Sequence, residues 1–138
     1  MSEENKALIQ RFVEEAFNRG NLDVADEVYA PEFVSHESPG PVERSPEYVK
    51  QFVGMYRSAF PDGHTTVEDS IAEGDKVAYR WTFRGTHRGE LMGIPPTERQ
   101  VTITGITLDR ISGGKIEEEW NNFDQLGTLQ QLGAIPGQ

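Results

Sequence analysis

The chain has 138 residues, 13 basic against 23 acidic for a formal charge of −10, and no cysteine. Disulfides, thiolate metal sites and cysteine nucleophiles are excluded together, and the negative balance repels phosphate backbones and anionic membrane surfaces, so neither nucleic acid nor a membrane is an expected partner. No apolar run approaches the roughly 18 residues that span a bilayer, the N-terminal Met1-Ser2-Glu3-Glu4-Asn5-Lys6 lacks the basic and apolar regions of a signal peptide, and a single cytoplasmic domain over residues 1–138 is expected.

Over residues 3–19, Leu8, Ile9, Phe12, Val13, Ala16 and Phe17 recur at helical spacing and predict an amphipathic helix that Gly20 stops. Asn21 suits the N-cap of a second, shorter helix carrying Leu22, Ala25, Val28 and Tyr29, ended by Ala30-Pro31 because the residue before proline avoids helical angles. Residues 32–37 form a short extended piece in which Phe33 and Ser35 alternate with Val34 and His36, and Ser38-Pro39-Gly40-Pro41 is a loop by composition. Ser45 is expected to cap a third helix, with Pro46 at its first position and the stripe Val49, Phe52, Val53, Tyr56, Ala59 and Phe60, closed by Pro61-Asp62-Gly63.

After Gly63 the apolar period changes to two. Residues 65–72 read as a strand with Val67 and Ile71 on one face, and Glu73-Gly74-Asp75 as a turn. Val77, Tyr79, Trp81 and Phe83 alternate with Ala78, Arg80, Thr82 and Arg84 in the cleanest two-faced strand of the chain. Arg80 and Arg84 fit the outer sheet surface, where the second subunit of a homodimer would cover them. Residues 85–97 are an irregular connection whose Ile94-Pro95-Pro96 cannot sit in a central strand.

Over residues 99–111 the face bearing Val101 and Ile103 gives way to one bearing Ile106 and Leu108, which predicts a bulge at Gly105. After Ser112-Gly113-Gly114, the stretch to Asp124 places Ile116, Glu118, Trp120, Asn122 and Asp124 on one side and Glu117, Glu119, Asn121 and Phe123 on the other. The first side mixes a tryptophan with polar residues and suits the wall of a small-molecule cavity; the alternative is an edge strand with one tucked tryptophan and solvated acids. Leu126, Leu129 and Leu132, then Gly133 and Pro136, mark a short C-terminal helix. The expected class is α+β: three N-terminal helices packed on a curved antiparallel sheet of four long strands.

Five stretches in order, Ala59-Phe60-Pro61-Asp62, the hairpin of residues 72–78, Gly85-Thr86-His87-Arg88-Gly89-Glu90, Gly93-Ile94-Pro95-Pro96-Thr97 and residues 114–124, together resemble the SnoaL-like polyketide cyclase or ester cyclase family over nearly the whole chain. The resemblance implies the cone-shaped fold shared with nuclear transport factor 2, scytalone dehydratase and ketosteroid isomerase, with helices closing a curled sheet around a deep pocket. It also implies a cofactor-free enzyme in which an aspartate near the end of the last long strand, here Asp124, is general acid/base for an intramolecular aldol closure. Glu98 stands where the family usually has glycine after Pro-Pro-Thr.

Asp124 either abstracts a proton beside a carbonyl, if burial moves its pKa toward neutrality, or merely caps the C-terminal helix. His36 is a second polar candidate if its strand lines the cone, able with Asn122 to bind a developing enolate oxygen; otherwise it is a structural histidine. His87 is placed at the pocket mouth or on the surface, and His64 beside an exposed turn. The histidines lack ligand spacing, so no metal is expected. Tyr56, Tyr79, Trp81, Phe83 and Trp120 would either line the pocket for a flat hydrophobic ligand or simply fill the core. A small enzyme acting on a hydrophobic carbonyl compound, or a module that binds such a ligand or dimerises without chemistry, are the readings that follow.

Overall fold

Gly20 ends the first helical run at φ +81°, a backbone angle that costs glycine little. The computed structural model describes residues 2–37 and 40–134; Ser38, Pro39 and Pro136, assigned above to a loop and a tail, lie outside them. The run is not one regular helix. Helix α1 (Ser2–Phe12) passes into a π-helical turn, Val13–Asn18, whose wider winding brings Asn18 to the edge of the sheet. There its side chain takes both backbone groups of Thr65, donating to the carbonyl at 3.0 Å and accepting from the N–H at 2.8 Å.

Asn21 caps nothing, because its amide donates to Glu15 and no side-chain cap bond forms. A single 3₁₀ turn, Leu22–Val24, leads to α2 (Ala25–Val28), and the chain extends at once as β1 (Tyr29–Glu37). Ala30 and Pro31 therefore lie inside a strand rather than ending a helix. Proline is accommodated because the pairing of β1 is irregular between Tyr29 and Val34. Gly40 and Pro41 belong to an edge strand, β2 (Gly40–Arg44), where an N–H can be dispensed with.

Helix α3 (Pro46–Ala59) buries Val49, Val53, Tyr56 and Ala59, and Ser45 holds the N-cap position without forming a side-chain cap bond. Then come β3 (His64–Glu73), β4 (Lys76–Thr86), β5 (Gln100–Ser112), β6 (Lys115–Phe123) and α4 (Gln125–Leu132). Among the described residues the sheet has six strands in the order β2-β1-β6-β5-β4-β3, and it is not wholly antiparallel, since β1 runs parallel to β6. Helices α1 and α3 cover its inner face, with buried clusters around Ile9, Val28 and Ile116 at one end and around Phe60, Val101 and Leu132 at the other. Trp81 packs against both.

Three strand faces differ from expectation, each through the presence or absence of one extra residue. In β3, Val67 pairs with Trp81 and Asp69 with Arg80, so Glu68 is a bulge and Ile71 is turned outward, 68% exposed. In β5 no bulge occurs at Gly105: pairing to β4 is unbroken from Lys76–Arg110 to Thr86–Gln100, so Thr107 and Asp109 share the inner face with Val101, Ile103 and Ile111. In β6, Ile116 pairs with Ile111 and Glu118 with Arg110. Glu117 is therefore the extra residue, and beyond it Glu119, Asn121 and Phe123 point inward.

Glu98, where the sequence departs from the family glycine, adopts φ +58°. Its loop is held by Glu98 N–H donating to the His87 carbonyl and by His87 N–H donating to that of Arg99, both at 2.9 Å.

Candidate active site

A cavity of about 530 Å³ lies between the helices and the inner face of the sheet, a size that suits a small multi-ring ligand. Phe12, Val13 and Phe17 close it from the first helical run, and Tyr48, Val49, Phe52, Val53 and Tyr56 from α3. The β4 wall supplies Tyr79, Trp81 and Phe83, because alternation on an unbulged strand sends every second side chain the same way. Trp81 is half-buried and the other two are buried.

Polar groups gather on β5 and β6. Glu119 lines the cavity, and its carboxylate accepts a 2.9 Å hydrogen bond from the Tyr29 hydroxyl. Burial, then the charge of Glu119, raises the pKa of Tyr29 well above the usual phenol value, so the hydroxyl stays a donor. Directly across the strand pair stands Asp109. It is fully buried, and among the described residues neither carboxylate oxygen accepts a well-formed hydrogen bond from an N–H or hydroxyl donor. Burial first, and the Glu119 charge second, push its pKa well above the ordinary carboxylate range.

One step along the strands, Trp81 Nε1 donates to Thr107 Oγ1 at 3.0 Å, and that hydroxyl donates to Asn121 Oδ1 at 2.8 Å. The relay fixes the Asn121 amide with its carbonyl engaged, which leaves the N–H₂ donors for the cavity that Asn121 lines. Gly105 makes room for the indole, since a Cβ there would lie 2.4 Å from Trp81 Cζ2.

The residues singled out from sequence fall in three places. Tyr56, Tyr79, Trp81 and Phe83 stand on the cavity wall, and the exposed Asn122 reaches its rim. Trp120 and His36 do not: the Glu117 bulge turns Trp120 to the outer face, where its ring stacks on His36 at 4.5 Å and 4°. There His36 Nε2 donates to Glu118 at 2.6 Å, and Arg110 donates to the same carboxylate at 3.1 Å. Asp124 also lies off the cavity wall, exposed, its carboxylate accepting from Gly127 N–H at 2.8 Å to cap α4. His87 is not at a mouth but fully buried against Phe60. Its Nδ1 accepts from Thr97 N–H at 3.2 Å.

Comparison with known proteins places the chain. The model of the SnoaL-like polyketide cyclase family matches residues 7–132. The chain belongs to the SnoaL-like polyketide cyclase family. It is 35% identical over 125 residues to the nogalonic acid methyl ester cyclase of Streptomyces nogalater, covering 86% of this chain and 90% of that protein. It is also 35% identical over 134 residues to the aklanonic acid methyl ester cyclase DauD of Streptomyces sp. strain C5, covering 91% and 80%. Among solved structures, TsrD of Streptomyces laurentii superposes with a TM-score of 0.86 at 30% identity, over 96% of this chain and 97% of that one. Wild-type IdmH of Streptomyces antibioticus gives 0.79 at 35%, over 94% and 98%. The α+β cone of this SnoaL-like chain is thus the fold the sequence motifs implied.

Sequence reasoning missed Glu119, Asp109, Asn121, Thr107 and Tyr29. A signal existed for two of them: read as one unbroken alternation, Val101, Ile103, Gly105, Thr107, Asp109 and Ile111 share a face. No comparable signal marks Glu119, whose orientation depends on the Glu117 bulge.

Proposed function

We propose that the chain is a cofactor-independent cyclase that closes a ring by intramolecular aldol addition in a hydrophobic, polyketide-derived carbonyl compound, with Glu119 as the base. The supporting observation is that Glu119 is a carboxylate on the wall of a largely apolar cavity, held in place by the Tyr29 hydroxyl, whereas Glu37, the other carboxylate on that wall, is neutralised by Arg44. Glu119 takes a proton from the carbon beside one carbonyl, and the electrons of that C–H bond pass into an enolate. The Asn121 amide donates to the enolate oxygen as charge develops there. The enolate carbon bonds to a second carbonyl carbon, whose π electrons move onto oxygen, and the resulting alkoxide recovers the proton from Glu119. No net proton and no co-reactant is consumed. The methyl-ester substrates in the relatives' names make aklanonic and nogalonic acid methyl esters the compounds to try first.

The test is turnover and binding of these esters by the wild-type chain and by Glu119→Gln. Removing a general base costs about 10²–10⁴-fold in rate, so kcat is expected to fall by that much while the ester still binds. Undiminished turnover overturns the role of Glu119. Binding without turnover by the wild type favours the ligand-binding module instead.

The outer sheet face supports association of two copies. Ile106, at 56% exposure, lies between the exposed Arg80 and Asn122, and one strand position further along, Leu108 neighbours the stacked Trp120. A homodimer through this face would cover its apolar part.

A further inference from the structure

Asp109 is a carboxyl group that the aldol scheme does not use and that the fold nonetheless keeps entirely from water. An ionised carboxylate in that position would lack both solvent and a cationic partner, a cost that buried acids avoid by staying neutral. Of the groups facing it, Glu119 opposes ionisation and the Tyr79 hydroxyl favours it, the smaller of the two effects. These two come from β6 and β4 respectively, with the Tyr29 hydroxyl of β1 bonded to Glu119. Among the groups that act on it, none carries a positive charge.

We propose that Asp109 holds a proton within the folded protein and shares it with Glu119, so that the two carboxyl groups work as one unit carrying a single negative charge. Asp109 is a positioning residue here, since it does not line the cavity and touches no substrate atom. The inference rests on the reading of Glu119 as the base. Strand register sets the two side chains opposite each other, within the ~5 Å between Cβ atoms that such cross-strand pairs have. A proton on Asp109 provides a second donor to the Glu119 carboxylate beside the Tyr29 hydroxyl. When Glu119 takes the substrate proton the buried pair becomes neutral, and it returns to one negative charge when the alkoxide is protonated. The proton count closes with no outside donor. Loss of the Asp109 proton at high pH would instead add a second negative charge beside the forming enolate and oppose it.

Two measurements need no substrate. In the infrared spectrum at neutral pH, the wild type is expected to show the carbonyl stretch of a protonated carboxylic acid, absent from Asp109→Asn. Because the folded group keeps its proton to higher pH than the unfolded chain, stability is greatest in acid and falls as pH rises through the folded pKa. The wild type should therefore lose stability relative to Asp109→Asn as pH rises; Asp109→Leu serves if the amide variant does not fold. With substrate, the pH profile of kcat/KM should descend on the alkaline side in the wild type and level off in the variant. Identical infrared spectra, parallel stability curves, or an alkaline descent that survives the substitution would each overturn the shared proton. The spectra and stability curves stand even if Glu119→Gln proves active, so failure of this inference and failure of the Glu119 reading are separately visible.

Discussion

Gly105 and Trp81 face each other across β5 and β4 so closely that the glycine hydrogen occupies the only space the indole leaves: a Cβ would fall 2.4 Å from Cζ2 and 2.8 Å from Cε2. The missing side chain leaves room for the Trp81 indole to reach Thr107. Gly105→Ala is expected to displace the ring, break the Trp81–Thr107–Asn121 relay and cost about 1–3 kcal/mol, the usual price of overpacking. Urea unfolding gives the loss of stability, and weakened ester binding would report the deformed cavity. Unchanged values for both would show that the indole has another place to go.

Asp124 is expected to behave as a helix cap. Asparagine caps as well as aspartate, whereas alanine costs about 1 kcal/mol. Asp124→Asn should keep both stability and turnover, and Asp124→Ala should lose stability at unchanged kcat. A large fall in kcat for the asparagine variant, with normal folding, would restore Asp124 to the chemistry.

Glu118 on the outer face has its pKa lowered by the hydrogen bond from His36 first and that from Arg110 second. A folded pKa below the unfolded one contributes stability above the unfolded value and loses it as pH falls through the folded value. The wild type should therefore lose thermal stability more steeply than Glu118→Gln on acidification below the ordinary carboxylate range. Scanning calorimetry across that range checks the sign, and parallel curves would show that the His36–Arg110 contacts do not favour the ionised acid.

The dimer is tested by a charge on its apolar strip. Ile106→Glu should convert a homodimer to a monomer in sedimentation velocity with little effect on stability, because the side chain is more than half exposed. A wild type that sediments as a monomer disposes of the association outright.

Legibility followed local regularity. The stripe of α3 and the alternation of β4 could be read from residue spacing because each element keeps one period from end to end, so a side chain's direction follows from counting, whereas the first helical run changes its winding at Val13. The candidate site lay beyond such counting. On β6 the same arithmetic put Trp120 and Asp124 on the cavity wall, and one extra residue at Glu117 exchanged them for Glu119 and Asn121.

The sequence by itself determined the α+β class, the family and the aromatic face of β4. Tertiary structure alone decided which acid meets the cavity, how β1 lies parallel to β6, and that Asp109 is sealed from water opposite Glu119. The reason is that strand register is set by partners distant in the chain, and a slip of one residue inverts every side chain beyond it while leaving the composition of the strand unchanged.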